Sequence, residues 1–406
     1  MAMSAAAPAA ATPRRISGLT LGILMIVANI LGYAVILVAT RALGPEQFGA
    51  FSAVNNSGLL LAIPVGAIQI VVARRQGERP GTGLELAGAV GGGLVVLGVA
   101  ASPLAVGAFH LTGPMTFVLA MANLLPMAVT AAMQGVLLGR ARMVAFGLSV
   151  LFTAVSRVAA VWCAARAGFG VDGFFAVLLV AGVAAAVVPW LQARPDMAGL
   201  GHRLGHGAVR ELLRANRTLG ALVALSTVDL LLARHYLTAS DAGAYALGSV
   251  FSKVVMWGTQ FLAIGIVPAL HPSNTRKRVV EAAGFVALLG GIGVVIAATT
   301  APWLIRLSGG TAYEHATGML PWFVVLGTLL GLAQVLLYAG MAGDDGRLGV
   351  VAWVACVALT ALVVGWQHAH AWRILAVALV ASAGVVGVGL LDVLRRAPAP
   401  LDGQRR

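Results

Sequence analysis

The sequence predicts an all-α integral membrane protein with about twelve transmembrane helices, arranged as two six-helix lobes related by a parallel repeat. Three observations carry that expectation. The 406 residues are 60% hydrophobic and only 10% charged, with a mean hydropathy of +0.93, whereas a soluble domain carries about 25% charged residues. A pattern recurs at about half the chain length: Leu43, Gly49, Ala50 and Phe51, within VATRALGPEQFGAFS, lie 194 positions before Leu237, Gly243, Ala244 and Tyr245, within STVDLLLARHYLTASDAGAYALGS. That period is far longer than the roughly 20–50 residues of a solenoid unit and fits a chain made of two homologous bundles. Finally, Lys and Arg on alternate connections divide 20 to 5, which predicts that both termini are cytoplasmic.

The elements follow in order. Residues 1–17 read as a disordered, Ala- and Pro-rich cytoplasmic tail ending near Arg14 and Arg15. The apolar run from Gly18 to Thr40 exceeds the about 7–15 residues of a signal-peptide core and is long enough to span a bilayer, so it reads as a retained first helix. Eleven more apolar runs follow at 48–73, 84–107, 115–139, 144–165, 172–193, 214–236, 242–268, 279–301, 318–341, 349–366 and 374–394. The first six spans make an N-terminal lobe at 18–193 and the last six a C-terminal lobe at 214–394, with a basic cytoplasmic tail at 395–406. Between the lobes lies a Gly-rich basic linker, 194–213, and the stretch Gly207 to Ala215 has the pattern of a short amphipathic helix on the inner leaflet. Six spans is an even number, so both lobes start on the same side and the repeat is parallel. The third spans end alike, at Ala101-Ser102-Pro103-Leu104 and Thr300-Ala301-Pro302-Trp303, with the offset drifted to 199; the fourth end at Leu138-Gly139-Arg140 and Ala342-Gly343-Asp344.

Composition also excludes functions. A net charge of +13 would suggest nucleic acid in a soluble protein, but here the basic residues set topology and meet anionic lipids, so membrane lipids and not nucleic acid are the expected partners. Cys163 and Cys356 lie in separate apolar runs, and the pairs His202/His206 and His368/His370 have no further ligands near them, so neither a disulfide framework nor a metal site is expected. No GxxxxGK[ST] loop occurs, which argues against direct ATP drive. The longest outer connection, 302–317, holds only Arg306, Glu314 and His315 as ionisable groups, too little for a saccharide polymerase or ligase. No enzyme activity and no cofactor are expected, and coupling to a proton or sodium gradient stays open.

The segments RALGPEQFGAFSAVNNSGLLLAIPVGAIQIVVARR, VDLLLARHYLTASDAGAYALGSVFSK, APWLIRLSGGTAYEHATGML and LAQVLLYAGMAGDDGR resemble bacterial polysaccharide transporters. These are the O-antigen and teichoic-acid flippase-like branch of the multidrug/oligosaccharidyl-lipid/polysaccharide exporter superfamily. The resemblance runs from Ile16 to Leu394 without the central loop. It implies two lobes enclosing a central cavity between spans one, two, seven and eight. It also implies transport of a lipid-linked saccharide, carried on an anionic polyprenyl phosphate, across the bacterial inner membrane by alternating access, beside polysaccharide polymerase or glycosyltransferase machinery. The alternatives are a multidrug or cation antiporter of the same superfamily and a non-transporting cell-envelope assembly protein. The resemblance carries over no individual site residue.

The candidates therefore come from the cost of membrane charge, about 2.5–3.5 kcal/mol per group on insertion scales, which is tolerated mainly toward a bundle interior or an aqueous cavity. Arg157 in span five, Asp229 in span seven and Lys253 in span eight lie at similar depths, roughly 12–16 Å from the outer end at 1.5 Å per residue. Asp229 and Lys253, on sequential helices, are placed to form an ion pair. Arg157 and Lys253 are candidates for the phosphate of a lipid-linked substrate, and Asp229 for balancing charge and taking a proton. Asn29, Asn55 and Asn56 on spans one and two are candidates for sugar hydroxyls. Pro64 is a candidate gating bend because it frees a backbone carbonyl. Asn123, Gln134 and Gln334 read as hydrogen bonds between helices, and Arg234 as a side chain snorkelling to the outer interface.

Overall fold

The computed structural model describes residues 13–75, 82–193, 218, 220–259, 275–342 and 346–395, and among these it contains helices and turns but no strand. Helix α1 runs Pro13–Leu61, 49 residues. Such a helix would be roughly 74 Å long if straight, more than twice the about 30 Å of a hydrocarbon core. It is not straight. Gly44 sits at φ 67, ψ 173 inside it, a region open essentially to glycine alone, and Pro45 starts the second limb with φ preset and no N–H to satisfy. The repeat makes the same turn 194 positions later with different chemistry. Leu237 is extended, and Thr238 caps the next helix by accepting from the Asp241 N–H at 3.2 Å. Gly44→Ala is expected to cost roughly 1–3 kcal/mol, read as a lower melting temperature in detergent.

The first half continues with α2 (Ile63–Arg75), α3 (Thr82–Phe109), α4 (Met115–Ala122), α5 (Leu124–Gly139), α6 (Met143–Arg166) and α7 (Val171–Ala193). In the second half, residues 220–225 are helical and lead into α8 (Val228–Tyr236), α9 (Ala239–Gly258), α10 (Thr275–Gly309), a 3-10 helix (Thr311–Met319), α11 (Leu320–Ala342), α12 (Arg347–Gly365) and α13 (Ala371–Arg395). Where they fall on described residues, the expected spans reappear within a few residues of their apolar runs; spans seven (214–236) and eight (242–268) lie only partly within the described residues. Nine stretches among the described residues are long and apolar enough to cross a membrane, the first being Thr20–Arg75, which Gly44 divides. The protein is an all-α, multi-pass membrane protein. The linker 194–213 with Gly207 to Ala215, the first twelve residues, the last eleven and Gly343-Asp344 lie outside the described residues.

Span seven departs from the sequence expectation of one continuous helix at 214–236. It is interrupted by a turn at Ser226 and Thr227, where the Ser226 hydroxyl donates back to the Val223 carbonyl at 2.9 Å. Consecutive hydroxyl residues offer the backbone such local alternatives to the helix. The interruption puts Asp229 in the first turn of α8, the helix end that favours negative charge.

Packing follows the repeat. In the first half α3 lies on α5 and α6 on α7; in the second α10 lies on α11 and α12 on α13. The halves meet mainly where α1 packs on α9. The two repeat aromatics are each packed on a phenylalanine of their own half, though on different spans: Phe51 on Phe175 of α7, with ring centroids 5.1 Å apart, and Tyr245 on Phe323 of α11, 4.9 Å apart.

Candidate functional site: a cavity with one unpaired cation

A cavity of about 640 Å³ is formed mainly by helices of the first half and bordered from the second half by Leu222, Val223, Trp257, Gln334 and Tyr338; its size is within the roughly 300–1,000 Å³ of typical small-molecule sites. It is lined from α1 by Asn29 and Asn55, from α5 by Gln134, from α6 by Arg157, from α9 by Trp257 and from α11 by Gln334. Asn29 and Asn55 are 26 residues apart on α1, roughly 39 Å along a straight helix. Both border one cavity because Gly44 reverses the chain between them. Its lining includes Ile70, Gln134 and Val150, so it occupies the half of the bundle on the side of Arg74, Arg140 and Arg142.

Among the described residues Arg157 is the only charged one in that lining. Among the described residues its Nε is buried without a hydrogen-bond partner and no carboxylate borders the cavity. Two acceptors, Asn123 Oδ1 and Gln334 Oε1, are likewise without a partner among the described residues; both residues line the cavity. A buried cation without a partner is costly. A bound anion would supply the missing acceptor, and the amides could bond hydroxyl groups.

The other candidate residues lie elsewhere. Asn56 turns away from the cavity: its Nδ2 donates to the Ser52 carbonyl at 2.7 Å, and its Oδ1 accepts from Lys253 Nζ. The backbone carbonyl of Lys253 accepts from Tyr33 across the same α1/α9 contact, at 3.4 Å. Asp229 is buried, 2% exposed, and accepts from the Tyr245 hydroxyl at 2.8 Å. The expected Asp229 to Lys253 ion pair is thus not a direct contact, because each group takes a neutral partner. Pro64 stands at the start of α2, beside Ala62, Ile63, Val65 and Gly66 of the cavity wall. Gln134 does bond between helices, donating to Ser149 Oγ at 3.2 Å, while also facing the cavity.

Arg234 is a correction. It does not snorkel: it is only 6% exposed, and its Nε donates to the Phe109 carbonyl at 2.9 Å. The acceptor is 125 positions away in sequence, so only the tertiary fold reveals it.

No protein-family profile matches the chain. The uncharacterised protein Rv3630 of Mycobacterium tuberculosis and the uncharacterised protein Mb3654 of Mycobacterium bovis are each 25% identical over 350 residues, covering 81% of this chain and 80% of each relative. Among solved structures, the inward-facing conformation of a multidrug resistance MATE family transporter of the MOP superfamily gives a TM-score of 0.71 at 13% identity, covering 94% of this chain and 98% of that one. The lipid II flippase MurJ in an inward closed conformation gives 0.70 at 12% identity, over 93% of this chain and 87% of that one. The chain has the fold of the MOP superfamily transporters. An outward-facing MATE transporter of the same superfamily gives 0.62 at 14% identity, over 94% of this chain and 95% of that one, a poorer match than the inward-facing one.

Within this MOP fold, Tyr245 is the residue that sequence reasoning missed. The repeat marked it as the counterpart of Phe51, and the hydroxyl that Phe51 lacks is what meets Asp229. Hydrogen bonds to charged groups contribute about 1.5–3 kcal/mol, so Tyr245→Phe is expected to destabilise by that order. In Asp229→Asn the same tyrosine change should cost less, an interaction that a double-mutant cycle of melting temperatures measures.

Proposed function

We propose that this protein is a transporter that moves an amphipathic saccharide lipid with an anionic, polyprenyl-phosphate-type head across the bacterial cytoplasmic membrane by alternating access. The observation that carries this reading is the unpaired Nε of Arg157 in a cavity that no acid borders among the described residues. A phosphate satisfies such a group with charge-assisted hydrogen bonds, and Asn29, Asn55 and Asn123 supply polar contacts for the saccharide. The transporter fold supports the mechanism, with residues 18–193 and 214–394 acting as two lobes that rock about the α1/α9 contact. The 20 to 5 division of basic residues supports cytoplasmic termini and a cavity facing the cytoplasm, where lipid-linked precursors are assembled. Lys253 and Asp229, at the contact between the lobes, are assigned to coupling and not to direct substrate binding. The partners proposed are membrane lipids and the polymerase or glycosyltransferase machinery acting on the same lipid. No catalytic step is assigned to the chain.

The test is binding to purified protein of a short-chain prenyl diphosphate disaccharide, a neutral prenyl disaccharide and a hydrophobic quaternary ammonium ion. Saturable binding is expected for the diphosphate, weakened about ten- to a hundredfold by Arg157→Ala. Equal binding of the neutral lipid would remove the anion from the account. A preference for the ammonium ion would assign the chain to drug or cation export, and no binding at all would favour a scaffold in envelope assembly.

A further inference from the structure

The contacts between the halves on the side away from the cavity form a second pattern that the binding site does not use. It starts at Thr40, four residues beyond the cavity-lining Ile36, hence roughly 6 Å further along α1. There, Arg41 donates from Nη2 to the Leu307 carbonyl, in the last turn of α10. His235, 194 positions after Arg41, places Nδ1 2.9 Å from the carbonyl of Ala108, at the end of α3. Leu307 is 199 positions after Ala108. These are the two offsets that relate the repeats, so the same interaction is built twice, each time from the end of span one or seven to the end of the third span in the opposite half.

The acceptors have a physical reason to be there. The last carbonyls of a helix have no partner within it and carry partial negative charge. The carbonyls of Val106 and Arg306 are taken by the chain's own backbone, from Leu111 and Gly310 N–H groups at 3.1 Å each. Those of Ala108, Phe109 and Leu307 are taken by side chains of the other half: His235, Arg234 and Arg41. Tyr313, on the 3-10 helix, adds a contact in the reverse sense: fully buried, it donates to the Thr40 carbonyl at 3.2 Å and sets its ring edge-on to Phe48 at 6.3 Å.

Below this layer the two backbones nearly touch. A Cβ on Gly49 would stand 3.0 Å from the Gly243 nitrogen, and one on Gly243 would lie 2.8 Å from the Pro45 Cα and nearer still to the Pro45 carbonyl. The equivalent glycines of the repeat are therefore each other's neighbours at the junction.

We propose that Arg41 and His235, with Arg234 and Tyr313, form a paired latch that holds the outer side closed by capping the third-span helices across the halves. It rests on the transport reading for its purpose, but its geometry stands alone. When the halves part, the carbonyls of Ala108, Phe109 and Leu307 meet water, which replaces the lost donors at little cost and keeps the latch reversible.

The test uses full-length protein in nanodiscs, where reagent reaches both faces, with Cys163→Ser and Cys356→Ala in the background. Thr40→Cys is the reporter. Thr40 is fully buried, and cysteine preserves the backbone carbonyl that receives Tyr313. Labelling by a polar maleimide is referred to Ala312→Cys, at an exposed position on the same side. The double variant Arg41→Ala/His235→Ala is expected to raise the reporter rate at least about tenfold, with each single variant intermediate, while melting temperature changes little. An unchanged rate in the double variant would overturn the latch. A second measurement joins Arg41→Cys to Leu307→Cys with a short bifunctional thiosulfonate; translocation should stop and return on reduction. If the linked protein transports at the unlinked rate, the latch is wrong. If unlinked protein transports nothing while the labelling result holds, the transport reading fails and the latch survives as a closure between the halves.

Discussion

Replacing Arg157 by alanine is expected to lower transport of an anionic lipid-linked saccharide at least about tenfold without destabilising the protein. Both parts of the result follow from one fact, that the guanidinium Nε has no partner among the described residues. A charge paired with a protein carboxylate would leave that carboxylate stranded when removed, at a cost of about 3–5 kcal/mol. Here nothing is stranded, so the melting temperature should hold or rise. The lost hydrogen bond to the anionic head, about 1.5–3 kcal/mol, appears only in binding and transport. Arg157→Lys keeps the charge but loses the planar fork suited to phosphate and should recover part of the activity. A loss of transport accompanied by a large drop in melting temperature would identify Arg157 as a structural residue instead.

Gly243→Val should have the larger effect on conformation. The added carbons would enter the space of the Pro45 backbone, which has no rotamer by which to move aside. Overpacking of this kind costs typically 1–3 kcal/mol, occasionally more, and a factor of ten in a conformational equilibrium is about 1.4 kcal/mol. The variant is therefore expected to part the halves at their outer junction, to expose Thr40→Cys to maleimide and to lose transport. Gly49→Ala, whose nearest neighbour would be 3.0 Å away, should show the same change to a smaller degree. If Gly243→Val labels and transports like the parent protein, the close approach of the two glycines has no functional part.

Much of this arrangement was legible in the sequence, for identifiable reasons. The spans are apolar runs whose length is set by the bilayer, so their positions needed no tertiary knowledge. The repeat located Gly49 and Gly243 before either had a neighbour, and the cost of intramembrane charge singled out Arg157. What a sequence could not convey was direction. Asn55 and Asn56 are consecutive, yet one borders the cavity and the other meets Lys253, and the choice is made by the rotation of α1 against α9. Asp229 was paired with the wrong group for a related reason: a tyrosine sixteen residues on, in the adjoining helix, reaches it first. Arg234 reads from sequence as an interface residue because its acceptor, the Phe109 carbonyl, belongs to the other half of the chain. The break at Ser226 and Thr227 was written in two hydroxyl residues, but an apolar-run criterion passes over them.

The central claim is that the chain carries an anionic saccharide lipid across a membrane through the cavity at Arg157. The measurement that tests it most directly is made in sealed proteoliposomes loaded with a polyprenyl diphosphate disaccharide, by following the fraction of saccharide reached over time by an impermeant oxidising reagent. The account predicts that vesicles with the protein approach complete oxidation, whereas empty vesicles and those holding Arg157→Ala stay near the fraction initially outside. Equal oxidation with and without the protein, or equal rates for the parent and Arg157→Ala, would contradict it.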